Sequence, residues 1–103
     1  MTDKKSSIEQ LIDQYLNYLV VEKGLAAKSI EAYAGDLAAF LDFLKYQKIA
    51  SIDEADTAAI LKYIIDLRQS GRGARTRARH LVAIRGFYHF LTQSGQLPKN
   101  FAK

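Results

Sequence analysis

Apolar residues in this chain return every three or four positions along nearly its whole length and nowhere alternate over a useful stretch. That regularity confines the chain to helices, because a half-buried strand repeats about every second residue and a helix face about every 3.6. Ile8, Leu11, Ile12, Tyr15, Leu16 and Leu19 mark a first helix face, opened by Ser6 and Glu9 in the spacing of a capping box. Gly24 stands where that helix needs a left-handed stop. A second helix is predicted from about Ala27 to Gln47, with Ile30, Tyr33, Leu37, Phe40, Leu41 and Leu44 inward. A connector from Lys48 to Ala55 leads to a third, with Asp53 or Asp56 as N-cap and Leu61, Ile64 and Ile65 facing the core, ending at Gly71. A fourth runs from Ala74 to near Gly95 with Ala78, Leu81, Ile84, Tyr88 and Leu91 on one face. Pro98 blocks its continuation, leaving a tail with room for one short turn, little to pack on and a mobile Phe101. The expected fold is an all-α, compact four-helix bundle with short connections and no internal repeat.

One hundred and three residues make a single domain, 1–103, with one core and no room for a second. There is no cysteine, hence no disulfide frame, thiolate nucleophile or cysteine metal site. The start lacks the apolar region of a signal peptide, and no apolar run approaches a membrane span. A cytoplasmic chain that does not engage membranes, monomeric in isolation, is the expectation.

Charge is sorted along the chain. Residues 1–66 hold seven Lys/Arg against eleven Asp/Glu, whereas residues 67–103 hold eight Lys/Arg and no acid. An excess of positive charge confined to the last third points to a polyanionic partner, with nucleic acid ahead of an anionic membrane surface. Arg72, Arg75, Arg77 and Arg79 crowd the start of the fourth helix. That terminus already carries roughly half a positive charge, so helix stability does not explain them. They fit a bound anion, on which N–H groups, dipole and guanidinium groups would converge, or they form a solvated basic face. Arg75 and Arg79 lie one turn apart on the outer face, where neither should be needed for folding. On the second helix, Ala32, Gly35 and Ala39 form a strip of small side chains that admits either another helix or a nucleic-acid backbone.

Catalytic patterns are missing. His80 and His89 are nine residues apart, which is no metal spacing, and on a basic helix they read as solvated or phosphate-adjacent. Asp53, Glu54 and Asp56 are explained by capping. No phosphate-binding loop, dinucleotide fingerprint, nucleophile elbow or paired catalytic carboxylate occurs. No cofactor or metal is expected.

Two blocks carry a family resemblance. VEKGLAAKSIEAYAGDLAAFLDFL (Val21–Leu44) and TRARHLVAIRGFYHFLTQSGQLPKNFAK (Thr76–Lys103) resemble the start and end of the N-terminal domain of Xer-type tyrosine recombinases and phage integrases, in order and spacing. The residues that match are Leu25, Ser29, Tyr33, Asp36, Leu37 and Phe40 in the first block. In the second they are Arg79, Leu81, Ala83, Arg85, Phe87 and Phe90. The resemblance implies a SAM-like orthogonal bundle that clamps duplex DNA opposite a catalytic domain, with helices two and four towards the major groove. It also implies that the catalytic Arg, Lys, His-x-x-Arg and Tyr belong to a downstream domain, so this chain is expected to be an N-terminal fragment without enzymatic activity. Ala34, Gly35 and Gly86 stand where many members carry basic or polar residues, and Phe101 replaces the usual Pro of the junction. These departures shift the expected DNA contact towards helix four.

The sequence therefore predicts a DNA-binding domain of a site-specific recombinase, with other recombinase protomers as partners of the parent protein. Its expected DNA contacts are Lys28, Ser29, Arg72, Arg75, Thr76, Arg77, Arg79 and Arg85, mostly to phosphate. Arg85, at the edge of the apolar face, serves either DNA or a buried acid or carbonyl. The competing class is a helical protein-interaction module that uses the Ala32–Gly35–Ala39 strip and aromatic side chains.

Overall fold

A computed structural model describes residues 7–102. It contains α1 (Ser7–Val21), α2 (Ala27–Tyr46), a 3-10 turn (Ile52–Glu54), α3 (Thr57–Gln69) and α4 (Ala74–Gln93), with no strand among the described residues. The all-α bundle read from periodicity is the observed fold. The expected cap Ser6 lies outside the described residues.

Helix ends follow local chemistry. Asp56 caps α3 by accepting from the Ala59 N–H at 3.1 Å, and Ser51 caps the 3-10 turn by accepting from Asp53. Helices α2, α3 and α4 each end on a left-handed residue that lets a later N–H return to a carbonyl of the last turn. Glycine holds this position after α3 (Gly71) and α4 (Gly95), but Lys48, with φ of 61°, holds it after α2. The bond from the Ile49 N–H to the Leu44 carbonyl, at 2.8 Å, keeps Lys48 in that costly conformation.

The core lies where α2 and α4 meet α1 and α3. Ile8, Ile12, Tyr15 and Leu19 enter from α1, and Leu37, Phe40, Leu41 and Leu44 from α2, as periodicity anticipates. Two other faces depart from expectation. On α3 the buried residues are Ala59, Ile60, Tyr63 and Leu67, whereas Leu61 and Ile65 are more than half exposed. On α4 the buried face is His80, Ala83, Ile84, Phe87, Tyr88 and Leu91, so Leu81 is only half-buried and Ala78 is exposed. Each Phe or Leu fully withdrawn from water contributes about 1.5–3 kcal/mol.

Aromatic contacts knit the layers together. The Phe40 ring meets Tyr63 at 5.2 Å and Tyr88 at 6.3 Å, and the Tyr88 hydroxyl donates to the Ala55 carbonyl at 2.7 Å. Tyr15 packs on Phe87, and a Cβ at Gly86 would collide with the Tyr15 hydroxyl. Gly86 thus leaves room for the Tyr15 hydroxyl against α4.

The tail is docked, contrary to expectation. Leu97 and Ala102 are buried, Phe101 meets Tyr88 edge-on at 6.3 Å, and Thr57 Oγ1 donates to the Phe101 carbonyl at 2.8 Å. The helix stops at Gln93, five residues before Pro98, and the chain turns back onto the gap between α3 and α4 and finds apolar surface there.

Candidate nucleic-acid interface

The starts of α2 and α4 share an unusual chemistry. Their N-cap residues, Ala26 and Gly73, supply no side-chain acceptor, and neither first turn contains an acid. Free N–H groups therefore stay exposed at two positive helix ends. Lys28 and Ser29 stand exposed in the first turn of α2, and Arg75 in that of α4, with the half-buried Thr76 beside it. Arg75 and Arg85 form no ion pair with any described residue.

The remaining arginines are not equivalent. Arg77 Nη1 donates to the Arg72 carbonyl at 2.6 Å and so closes the turn that leads into α4. Arg72 lines a groove of about 340 Å³ between α2 and α3, where Asp42 and Asp66 are its acidic neighbours. Arg79 lies furthest from expectation. Its Nε and Nη2 donate to the two oxygens of Asp36 at 2.9 and 2.8 Å, a bidentate pair that ties α4 to α2. The outer-face arginine thought dispensable for folding is thus the counterion of a buried acid. The structural role proposed for Arg85 falls to Arg79, and Arg85 is exposed.

His80 also differs from the solvated residue expected. It is 2% exposed, its Nδ1 lies 2.9 Å from the Tyr63 hydroxyl, and its Nε2 lies 3.2 Å from Asp36 Oδ1. Burial pushes its pKa below the ordinary value; Asp36 opposes the shift, and Arg72 and Arg79 add to it. A neutral ring facing a carboxylate carries its proton on Nε2, leaving Nδ1 to accept from Tyr63. Burial likewise raises the Tyr63 hydroxyl to about 12, so it remains a donor. Asp36, Tyr63, Arg79 and His80 form a polar network joining α2, α3 and α4 beneath the basic face, and no described buried side-chain polar atom lacks a partner. Asp36 and His80 were legible in principle: both fall on the apolar stripes of their helices, where a charged or polar residue requires a partner.

Gly35, the centre of the small-residue strip on α2, is exposed with nothing within 4 Å of a Cβ built there. No helix of the described chain packs against it. His89 is exposed and lines a groove of about 410 Å³ with Tyr15, Tyr18 and Phe90 between α1 and α4. No cluster of potential metal ligands occurs among the described residues, and no described helix is long and apolar enough to cross a membrane.

The sequence profile of the phage integrase N-terminal SAM-like domain matches residues 12–95, which takes in all of α2, α3 and α4. The chain belongs to this family. Its curated relatives include the tyrosine recombinase XerD of Listeria monocytogenes, 32% identical over 91 residues that make up 87% of this chain and 31% of the relative. XerD of Staphylococcus saprophyticus is 37% identical over 83 residues, 81% of this chain and 28% of the relative. XerD of Bifidobacterium longum is 36% identical over 81 residues, 79% and 26% of the two chains. The chain spans less than a third of the length of these relatives. No solved structure matches it. Within this phage-integrase SAM-like frame, α2 and α4 are joined by the Asp36–Arg79 pair and carry exposed Lys28, Arg75 and Arg85.

Proposed function

We propose that this domain grips duplex DNA as the N-terminal core-binding part of a site-specific tyrosine recombinase or integrase. The observation that carries the reading is the pair of uncapped, acid-free helix starts flanked by exposed Lys28 and Arg75. Such an arrangement is unfavourable for an isolated helix and favourable once phosphate oxygens occupy it. Lys28, Ser29, Arg75 and Thr76 take phosphates directly in this reading. Arg72 and Arg77 hold and extend the loop that presents them, and Arg85 continues the cationic face along α4. The parent would cut and rejoin DNA through a phosphotyrosine supplied by another part of the protein, acting with further protomers; this domain contributes grip and no bond-breaking chemistry.

Fluorescence anisotropy on an arbitrary duplex across a salt series tests the proposal. Each phosphate contact contributes about 0.9 to the slope of log affinity against log salt. Lys28→Ala with Arg75→Ala should therefore flatten that slope by roughly 2. Exposed Leu61 and Ile65 on α3 favour a second reading, a protein-interaction module. A chain that serves only as such a module does not retard duplex DNA even at low salt.

A further inference from the structure

The exposed face of α4 is not uniformly basic. Arg75, Ala78, Arg79, Val82, Arg85 and His89 are exposed, and at about 100° per residue Val82 falls at the centre of that face. Arg75 and Arg79 lie to one side of it, Arg85 and His89 to the other. Val82 is 54% exposed and contributes to no described core cluster. A surface built only to hold phosphates has no use for an apolar, β-branched residue at its middle.

Arg79 is an equally poor phosphate ligand. Asp36 already neutralises it through Nε and Nη2, and a carboxylate so close opposes the approach of a phosphate. The side-on pairing nevertheless leaves the end of the guanidinium fork unengaged: both N–H groups of Nη1 and the second of Nη2. Its side chain is half exposed, so that end faces outward. A held, charge-compensated fork suits a neutral acceptor pair, and the guanine major-groove edge offers O6 and N7 as such a pair. One turn on, an exposed valine suits the C5-methyl group of thymine, the apolar feature of that groove.

We infer that α4 reads base edges with Arg79 and Val82: Arg79 takes a guanine, Val82 abuts a thymine methyl at a neighbouring position, and Asp36 is the positioning residue that presents Arg79. This rests on the DNA-binding reading above and adds sequence preference to it. Arg75 and Arg85, flanking the two readers without a counterion among the described residues, remain for phosphate.

The test is a selection of duplexes from a randomised pool by the whole chain, followed by affinities for the selected duplex with single-atom base changes. Recovery of guanine next to thymine is expected. Replacing that guanine by 7-deazaguanine, or that thymine by uracil, should weaken binding about 5- to 100-fold for the first and less for the second. Arg79→Lys should abolish the guanine preference while leaving the salt slope unchanged, because its charge is already compensated in the domain. Val82→Ala, a surface change with no folding cost, should erase the difference between thymine and uracil. Binding without base preference, or equal affinity for the deaza and uracil duplexes, overturns the inference while DNA binding stands. A chain that retards no duplex overturns both.

Discussion

Replacing Arg79 by Ala perturbs one exposed side chain and should unfold the domain far more readily than a surface change does. The Asp36 carboxylate is 2% exposed and accepts from Arg79 at 2.8 and 2.9 Å. With the guanidinium gone, its close polar neighbour is His80 Nε2 at 3.2 Å, a single contact for two oxygens. Removing one partner of a fully buried pair costs about 3–5 kcal/mol, whereas a fully exposed pair contributes about 0–1. Half the Arg79 side chain is already in solvent, so water can reach part of the vacated space. The expected loss is about 1.5–3 kcal/mol, between those limits. At about 4–8 °C per kcal/mol for a domain of this size, Tm should fall by roughly 6–24 °C.

Urea denaturation of four proteins measures this. Arg75→Ala, from the same exposed face, should match the wild type or exceed it slightly, because it removes a cation from a positive helix end. Arg79→Ala combined with Asp36→Leu should be more stable than Arg79→Ala alone, since no carboxylate is then stranded. If Arg79→Ala stays within about 0.5 kcal/mol of wild type, as ordinary surface substitutions do, the pair carries no stability and the reasoning fails. The comparison also guards the DNA assays, where weakened binding by an Arg79→Ala protein would partly report unfolding.

Three further outcomes are expected. Because His80 is depressed below its ordinary pKa, the unfolded chain binds more protons than the folded one below about pH 6.5; stability should hold above that pH and fall as the pH drops below it, by at most about 1.4 kcal/mol per unit for this group, and denaturation of His80→Gln should show a shallower decline. Deleting residues 99–103 removes the Phe101 contact on Tyr88 and the Thr57 bond, and thermal unfolding should drop by roughly 5–15 °C for about 1–2 kcal/mol lost; a change under about 2 °C would show the tail to be idle. Lys48→Gly should raise stability by about 1 kcal/mol, since a left-handed lysine is replaced by the residue that position favours.

Helix number, order and approximate ends were legible because each is set locally. Asp56, Gly71 and Gly95 act within a turn of their own position, and the apolar stripes of α1 and α2 are narrow enough to have one orientation. The inward face of α3 was not, because apolar side chains occupy positions 60, 61, 63, 64, 65 and 67 and surround much of the helix. Its orientation is settled by Tyr63, whose hydroxyl reaches His80 on another helix. Periodicity counts apolar residues and cannot credit a buried polar one that finds a partner. The same blindness displaced the α4 face from His80 to Leu81 and left the buried Asp36 without a role.

These misplacements share a cause, and it bears on the candidate interface. Four arginines at the start of α4 invite a single explanation from charge, yet the fold divides their duties. Arg77 holds a turn, Arg72 lines a groove shared with Asp42 and Asp66, Arg79 offsets a buried acid, and Arg75 has no ion pair with any described residue. A net count of +8 in residues 67–103 therefore overstates the charge available to a polyanion, because Asp36 reaches into that stretch from a helix 43 residues earlier. Long-range attraction follows uncompensated charge, so Arg79 should contribute less to the salt dependence of DNA binding than Lys28, Arg75 or Arg85. A compensated arginine keeps its hydrogen-bond geometry after its charge is used, and recognition that depends on direction can still draw on it.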